Sequence, residues 1–210
     1  MLDGDNVFAF IGMFLAFYLA LTEVLARQPR SGPLFTVVML TIGVIELHIG
    51  LLLSEQLREL PRLFTVQLPA VFLFGPVTYL IVRQYMERYH LERSDLIHFV
   101  LPAVSLVAFG YQQLLSPTQQ LARVISYRVH PLNDWSGYLL IVGLASLFFY
   151  LSWALRIAGP GLRSLLGRPT EFSPKAAWLF IMTGACLLMV VVAIMAAVTG
   201  DWELYYLRTV

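Results

Sequence analysis

Apolar residues in this chain do not alternate with polar ones; they continue for long runs separated by short polar stretches. A run of about 20 apolar residues spans the hydrocarbon core of a bilayer as an α-helix. Six such runs are found, at residues 7–26, 34–53, 63–82, 96–115, 137–155 and 177–198. The pattern predicts an all-α fold, a polytopic transmembrane bundle of about six spans. Residues 1–210 would form a single domain, with no soluble output domain in this chain.

The composition supports the same prediction. Hydrophobic residues make up 59% of the chain and charged residues 13%, and the mean hydropathy is +0.74. Continuous apolar runs favour helices over a membrane β-barrel, whose strands alternate apolar and polar positions. The formal net charge of +1 gives no basic excess for a phosphate backbone. We therefore expect the lipid bilayer as a partner and no direct binding of nucleic acid.

The distribution of Lys and Arg predicts the orientation. Nine of these residues lie in one alternate set of connections and five in the other. Cytoplasmic connections hold the excess, so the N-terminus is expected outside, in a multi-pass membrane protein. The first run is not expected to be a cleaved signal peptide, because Asp3 and Asp5 occupy the place of its basic region.

Three polar or interrupted stretches carry further predictions. Residues 117–128 predict a short helix on the outer membrane surface, started by Pro117. The Gly-Pro-Gly sequence at residues 159–161 is predicted to break the fifth helix. The aromatic tail at residues 202–210 is typical of an interfacial belt, or of the first turn of a truncated seventh span.

Two ionisable residues lie inside the second run. Glu46 and His48 are candidates for function, because an ionisable group in the hydrocarbon core is costly. Two positions apart on a helix, they point in nearly opposite directions and are poorly placed to bind one ion together. A structural role, with a neutral carboxylic acid and a histidine hydrogen-bonded inside the bundle, is favoured over a ligand or proton site.

The third run contains residues that interrupt a helix. Gln67, Pro69, Gly75 and Pro76 predict a kink that faces other protein, because proline leaves a carbonyl that neighbours must satisfy. Such a kink either lines a cavity or improves helix packing, and the sequence leaves both open.

Small residues lie four positions apart on the sixth run, a spacing that permits close helix contact. They are Ala193, Ala196, Ala197 and Gly200. Packing within the chain is favoured over a homodimer or a larger membrane complex. The aromatic residues of the fifth run are interpreted as lipid-facing or core side chains. They are Phe148, Phe149, Tyr150 and Trp153.

Catalytic and metal-binding patterns are absent from the sequence. It contains no His-Glu-x-x-His helix, serine elbow, phosphate loop or paired aspartates within a run. His48 and His98 would differ in height by roughly 18 Å, too far for one metal ion. We therefore expect no enzyme activity, no metal and no cofactor.

Residues 68–109 resemble a known family, the N-terminal multi-span membrane domain of bacterial AraC-type transcription regulators and related sensors. The resembling residues are Gly75, Pro76, Tyr79, Arg83, the connection at residues 92–96, and then His98, Phe99, Leu101 and Pro102. The resemblance implies a seven- or eight-span sensor that feeds a cytoplasmic output. The chain would then be a truncated regulator or a free-standing relative.

The resemblance implies a membrane sensor or signal-transducing module. Its candidate ligand-binding set combines the intramembrane polar residues with the kinked helix: Glu46, His48, Gln67, Pro69, Gly75, Pro76 and Tyr79. The alternative is a structural or accessory subunit of a larger membrane complex, which would bind through its small-residue and aromatic faces. A less favoured alternative is an intramembrane enzyme or transporter.

Overall fold

The computed structural model describes residues 4–25, 33–87, 90–129 and 134–167, together with residues 183, 184, 187, 188 and 191. Over this part of the chain the fold is helical and contains no strand, which confirms the predicted all-α class. The α-helices are α1 (Gly4–Leu25), α2 (Pro33–Leu53), α3 (Gln67–Glu87), α4 (Val100–Leu114), α5 (Pro117–Val129) and α6 (Trp135–Gly167). Short 3₁₀ helices at Gln56–Arg58, Pro61–Leu63 and Arg93–Phe99 join them.

Four helical segments are long and apolar enough to cross a membrane. They are Pro33–Leu53, Pro61–Met86, Arg93–Leu114 and Trp135–Gly159, and they correspond to the second to fifth predicted runs. The first predicted run is also helical, but its apolar part, Ala9–Leu25, is shorter. The run at residues 177–198 and the small residues Ala193, Ala196, Ala197 and Gly200 lie outside the described residues.

The predicted break at residues 159–161 is wrong. Helix α6 continues through this sequence and ends at Gly167. A proline inside a helix removes one backbone hydrogen bond, here the bond to the Arg156 carbonyl, and this loss does not by itself end a long helix. In contrast, the helix predicted at residues 117–128 is confirmed as α5.

Helix α3 lies at the centre of the described bundle. It contacts α2, α4 and α6. In the most apolar 18 residues of the segment Pro61–Met86, which contains most of α3, 78% of the residues are buried. The corresponding value for Arg93–Leu114 is 17%. Its buried side chains include Leu68, Val77 and Leu80, which are 0 to 1% exposed. The other helices therefore pack around α3.

Aromatic rings over glycines join α1 to α2. A Cβ atom built on Gly43 would lie 2.8 Å from the Phe17 ring, and one built on Gly50 would lie 3.1 Å from the Phe10 ring. The missing side chains let the two helices approach closely, as in other membrane helix pairs.

Helix α4 presents an apolar face outward. Val107 is 74% exposed and Leu114 is 83% exposed, and Ile97 in the preceding 3₁₀ helix is 71% exposed. A contiguous apolar face of this extent is rare on a monomer in water. Lipid tails would cover it at no hydrophobic cost.

Helix α3 packs closely against α6. A Cβ atom on Gly75 would lie 3.2 Å from the Leu147 Cα atom, and one on Gly143 would lie 3.1 Å from Val71. Because one of these neighbours is backbone, it cannot move aside cheaply. The pair of glycines therefore fixes the distance between the two helices.

We expect Gly75→Ala to lower the stability of the bundle relative to Gly110→Ala by about 1–3 kcal/mol, the usual cost of overpacking. Both substitutions gain the same helix propensity, but a Cβ on Gly110 meets no atom within 4 Å. Thermal unfolding of both variants in one detergent measures the difference. Equal transition temperatures would show that the α3–α6 contact is not tight.

Candidate functional site

A cluster of aromatic side chains and one histidine joins α3, α6 and the 3₁₀ helix before α4. Nδ1 of His98 lies 2.9 Å from the Tyr150 hydroxyl. The ring of Tyr79 lies 5.4 Å from the His98 ring and 5.1 Å from the Trp153 ring, measured between centroids. Tyr79 is 3% exposed, whereas His98 and Tyr150 are half-buried and Trp153 is exposed, so the cluster extends from the interior to the surface of the bundle. We call Tyr79, His98, Tyr150 and Trp153 the His98 cluster.

Helical spacing explains how α3 reaches this cluster. Gly75, Tyr79 and Arg83 are four residues apart and share one face of the helix. A Cβ on Gly75 would lie 3.2 Å from the Tyr150 Cβ atom, so the close contact between α3 and α6 adjoins the histidine–tyrosine hydrogen bond. Pro76, next along the helix, leaves the Phe72 carbonyl without its usual donor. A local weakness of the central helix therefore lies beside a polar contact.

An ion pair lies one turn further along the same face. Nη1 of Arg83 lies 3.4 Å from Oδ1 of Asp95, which is 5% exposed as a residue. Asp95 also accepts a hydrogen bond from the Glu92 amide at 2.8 Å, as part of a capping box that starts the 3₁₀ helix. These contacts orient the segment that carries His98.

The chemistry available to the His98 cluster is a change of hydrogen bonding. The tyrosine hydroxyl donates to a neutral Nδ1, or accepts from a protonated one, so the same two atoms support two proton arrangements. Among the described residues no group of three His, Cys, Asp or Glu side chains could hold a metal ion.

A second polar cluster lies at the opposite end of α3. Nε and Nη2 of Arg123 on α5 bind the two carboxylate oxygens of Asp134, with a distance of 2.8 Å for the Nε bond. Arg123 also donates to the Gln112 side chain on α4 and lies over the Trp135 ring, 4.4 Å from its centroid. We call Gln112, Arg123, Asp134 and Trp135 the Arg123 clamp, because it ties α5 to α4 and α6.

Asp134 is stabilised as a carboxylate. Burial by itself would raise its pKa, but hydrogen bonds from Arg123 and Ser136 and the charge of Arg123 outweigh that effect and lower it below 3.8. Two hydrogen bonds come from Ser136: its amide at 2.8 Å and its hydroxyl at 2.5 Å. The clamp therefore depends on an ionised Asp134.

Further contacts seal this end of the bundle. The Gln120 amide donates to the carbonyl oxygens of Gln112 and Leu115 at 3.0 Å each, which caps the end of α4. Phe64 packs edge-on against Tyr127 of α5, with ring centroids 4.9 Å apart. Helix α5 thus covers the start of α3.

The structure does not bring the seven predicted ligand-binding residues to one place. Gly75, Pro76 and Tyr79 adjoin the His98 cluster. His48 and Gln67 lie near the other end of α3. Gln67 precedes Tyr79 by twelve residues, which corresponds to about 18 Å along the helix.

The remaining predicted residues have local explanations. The Glu46 carboxyl group faces α1, where a Cβ on Gly12 would lie 3.4 Å from its carboxyl carbon. Pro69 lies in the first turn of α3, where its missing N–H would have no helical partner, so the predicted bend reduces to Pro76. Glu46 and His48 point to different neighbours, as their spacing predicts.

Buried polar atoms accompany His48. Its ring hydrogen-bonds to the backbone of Leu63. Its Nδ1, the Thr65 hydroxyl and the Gln67 Oε1 are buried without hydrogen-bond partners in the described part of the chain. Each such group costs about 1–3 kcal/mol.

Sequence reasoning missed Tyr150 and Trp153 as site residues and missed the Arg123 clamp entirely. The aromatic pair was interpreted as lipid-facing or core, and only its three-residue spacing, which places both rings on one helix face, could have distinguished it. Two arginines in an amphipathic helix without acidic residues, and an aspartate just before a long apolar run, could have indicated the clamp.

We expect Asp134→Asn to lower the free energy of unfolding by about 3 kcal/mol near neutral pH, because Arg123 would remain largely buried without its charged partner. The folded-state pKa of Asp134 is lowered, so its carboxylate stabilises the fold above pH 3.8 and this contribution is lost as the pH falls through the folded value. The difference between wild type and variant should therefore shrink below about pH 4.

Denaturant titration in detergent at several pH values measures this difference. Glu59→Gln, a change of an exposed acid, is the matched control and should leave the stability unchanged. A difference between wild type and Asp134→Asn that is zero, or independent of pH down to full protonation, would contradict the role of the clamp.

Comparison with protein-family models, with curated proteins and with solved structures finds no match for this chain.

Proposed function

We propose that this chain is a membrane-embedded sensor or signal-transducing module. In this proposal the His98 cluster responds to a stimulus, and α3 transmits the change to both ends of the bundle. The observation that supports the proposal most directly is the His98–Tyr150 hydrogen bond, which adjoins Gly75 and Pro76 of the central helix. A polar contact beside an interrupted turn lets a small change in bonding alter the course of a helix that three others contact.

The membrane setting is supported by four long apolar helices and by the outward apolar face of α4. We further propose that α1 and the run at residues 177–198 also span the bilayer, which gives six spans. The excess of basic residues in alternate connections supports an N-terminus outside, and the resemblance to bacterial regulators supports a bacterial cytoplasmic membrane.

The proposed mechanism uses two arrangements of the bundle. In one, Tyr150 binds His98 and α3 packs closely on α6; in the other, this bond is broken and the segment after Pro76 changes direction. A stimulus shifts the balance only if it binds the two arrangements unequally. Since α3 also contacts α2 and α4, the change would reach most of the described bundle.

Energetics limit what the hydrogen bond can do alone. A neutral hydrogen bond contributes about 1 kcal/mol net, which changes a two-state ratio about fivefold. A change from 1:99 to 99:1 needs about 5.5 kcal/mol. A full switch therefore requires a stimulus that acts on several groups of the His98 cluster, including the buried Tyr79.

The resemblance to the membrane domain of AraC-type regulators supports the same proposal. Its separated sequence elements, Gly75 to Arg83 and the connection that ends at His98, meet in space at the His98 cluster. In this proposal the chain is the N-terminal part of a membrane-bound transcription regulator.

Topology is tested with alkaline phosphatase fusions, which are active only outside the cytoplasm. We expect active fusions at Glu59 and Asn133, because both follow an inside-to-outside crossing in the proposed orientation. Fusions at His90 and Gly167 should be inactive. The reverse pattern would overturn the orientation. Equal activity at two consecutive sites along the chain, such as Glu59 and His90, would overturn the span between them.

The two-state mechanism is tested by spin-label distances in lipid nanodiscs, with labels at Gln84 and Ala122 in a background where Cys186 is replaced by Ala. These exposed positions lie on opposite sides of Pro76 along the bundle. We expect two distance populations. Tyr150→Phe should shift their ratio about fivefold, the value of one neutral hydrogen bond. Pro76→Ala should reduce them to one, because it restores the backbone donor.

Matched controls separate this mechanism from general disturbance. Pro69→Ala changes a proline in a first turn, and Tyr138→Phe removes a hydroxyl from a tyrosine that is 60% exposed. Both should leave the populations unchanged. A single population that no variant alters would contradict the sensor mechanism, and a stoichiometric partner retained through detergent exchange would favour an accessory subunit.

A further inference from the structure

A groove runs between the connection that joins α2 to α3 and the first turns of α5. Its volume is about 600 Å³, and its walls come from residues 58–63 on one side and from Pro117, Thr118, Gln120 and Leu121 on the other. It lies beyond Leu53, the last residue of α2, and before Gln67, the first residue of α3. In the proposed membrane setting this is the level at which apolar helices meet the polar headgroups.

The groove combines cationic and apolar groups. Arg58 and Arg62 line it, with Glu59 as the acidic group in the lining. Guanidinium groups bind phosphate through paired N–H donors, and the Thr118 hydroxyl adds a further polar group. Leucine and proline side chains form most of the remaining wall. This is the chemistry of an anionic headgroup attached to an apolar tail.

We propose that the groove binds the headgroup of an anionic membrane lipid. This inference rests on the proposed membrane setting but not on the sensor mechanism. The apolar lining and the position next to the helix ends select a lipid over a free phosphate ion, because a free ion gains nothing from Leu63 or Leu121. Basic side chains at a membrane surface attract anionic lipids.

Arg58 can turn to a ligand at small cost. Its described ion pair is with Glu55, at 3.4 Å, and both side chains are 54% exposed. Ion pairs with this exposure contribute little to stability, so exchange of the carboxylate for a lipid phosphate is cheap. The backbone of Arg62 is held by a bond from the Gln113 side chain to its carbonyl oxygen, at 2.9 Å. Arg58 therefore has an exposed, weakly held side chain, and Arg62 is anchored at its backbone.

The groove adjoins the buried polar groups at the start of α3. Leu63 lines it, and its backbone hydrogen-bonds to the ring of His48. Gln120 lines the opposite wall and is 1% exposed, with its Oε1 lacking a partner among the described residues. A lipid in the groove would thus contact the two elements, the Pro61–Leu63 turn and α5, that cover this end of the central helix.

The test is native mass spectrometry of the full chain released from nanodiscs that contain phosphatidylglycerol and phosphatidylcholine in equal amounts. We expect wild type to retain phosphatidylglycerol preferentially. The double variant Arg58→Gln/Arg62→Gln should lower this preference about tenfold or more. Each arginine near a membrane surface contributes about 1 kcal/mol of attraction to anionic lipid, and about 1.4 kcal/mol corresponds to a factor of ten. The double variant Arg93→Gln/Arg156→Gln removes the same charge from exposed positions at the other end and should keep it.

Two further arms distinguish the alternatives. Arg58→Lys/Arg62→Lys keeps the charge and should keep most of the preference, which shows that a loss in the glutamine variant is not misfolding. Excess inorganic phosphate should not displace the lipid; displacement would identify the groove as a site for free anions and overturn the proposal. Equal loss in both glutamine variants, or no preference in wild type with confirmed topology, would overturn it without affecting the proposed sensor.

Discussion

The close contact between α3 and α6 is the constraint on which the described fold depends. Gly75 lets the α3 backbone approach the Leu147 Cα and Tyr150 Cβ atoms of α6, and Gly143 lets the α6 backbone approach the Val71 and Phe72 side chains of α3. In a bilayer the hydrophobic effect does not drive helices together, so dense packing and hydrogen bonds must do so. Because α3 has neighbours on several sides, its position relative to α6 also determines where α2 and α4 can lie.

The same constraint explains where polar groups are placed. The uncharged His98 cluster lies beside the close contact at Gly75, whereas the ion pair of the Arg123 clamp lies away from this contact. The Arg123 clamp joins α4, α5 and α6 at the start of α3, and the His98 cluster joins α3 and α6 further along. The clamp is an ion pair with several hydrogen bonds, whereas the His98 cluster depends on one neutral bond and ring contacts. The first is therefore rigid and the second is the more easily changed.

Much of the fold followed from local pattern. Run length and hydropathy predicted the helices from 34–53 to 137–155, and the helix periodicity of residues 117–128 predicted α5. The prediction failed where one residue type has two outcomes. Pro69 and Pro76 look alike in the sequence, but one occupies a first turn and the other a helix interior, and the difference depends on where α3 begins. The glycines beside Pro160 suggested a break, yet α6 continues because one lost hydrogen bond does not end a helix.

The candidate site was less predictable, because it depends on contacts between distant parts of the chain. His98 and Tyr150 are 52 residues apart, and neither spacing nor hydropathy indicates that they meet. Glu46 and His48 became candidates because an ionisable residue inside an apolar run can be recognised in the sequence. A hydrogen bond between a histidine and a tyrosine that are far apart in the chain gives no such signal. Of the residues predicted to bind a ligand, Gly75, Pro76 and Tyr79 are the ones that lie at or beside the His98 cluster. A glycine in a central helix indicates close approach by another backbone, and the residues that flank such an approach are held most firmly in relation to one another. Gly75 is such a glycine, and the His98–Tyr150 hydrogen bond lies beside it, so the proposed switch would need little movement to affect the neighbouring helices.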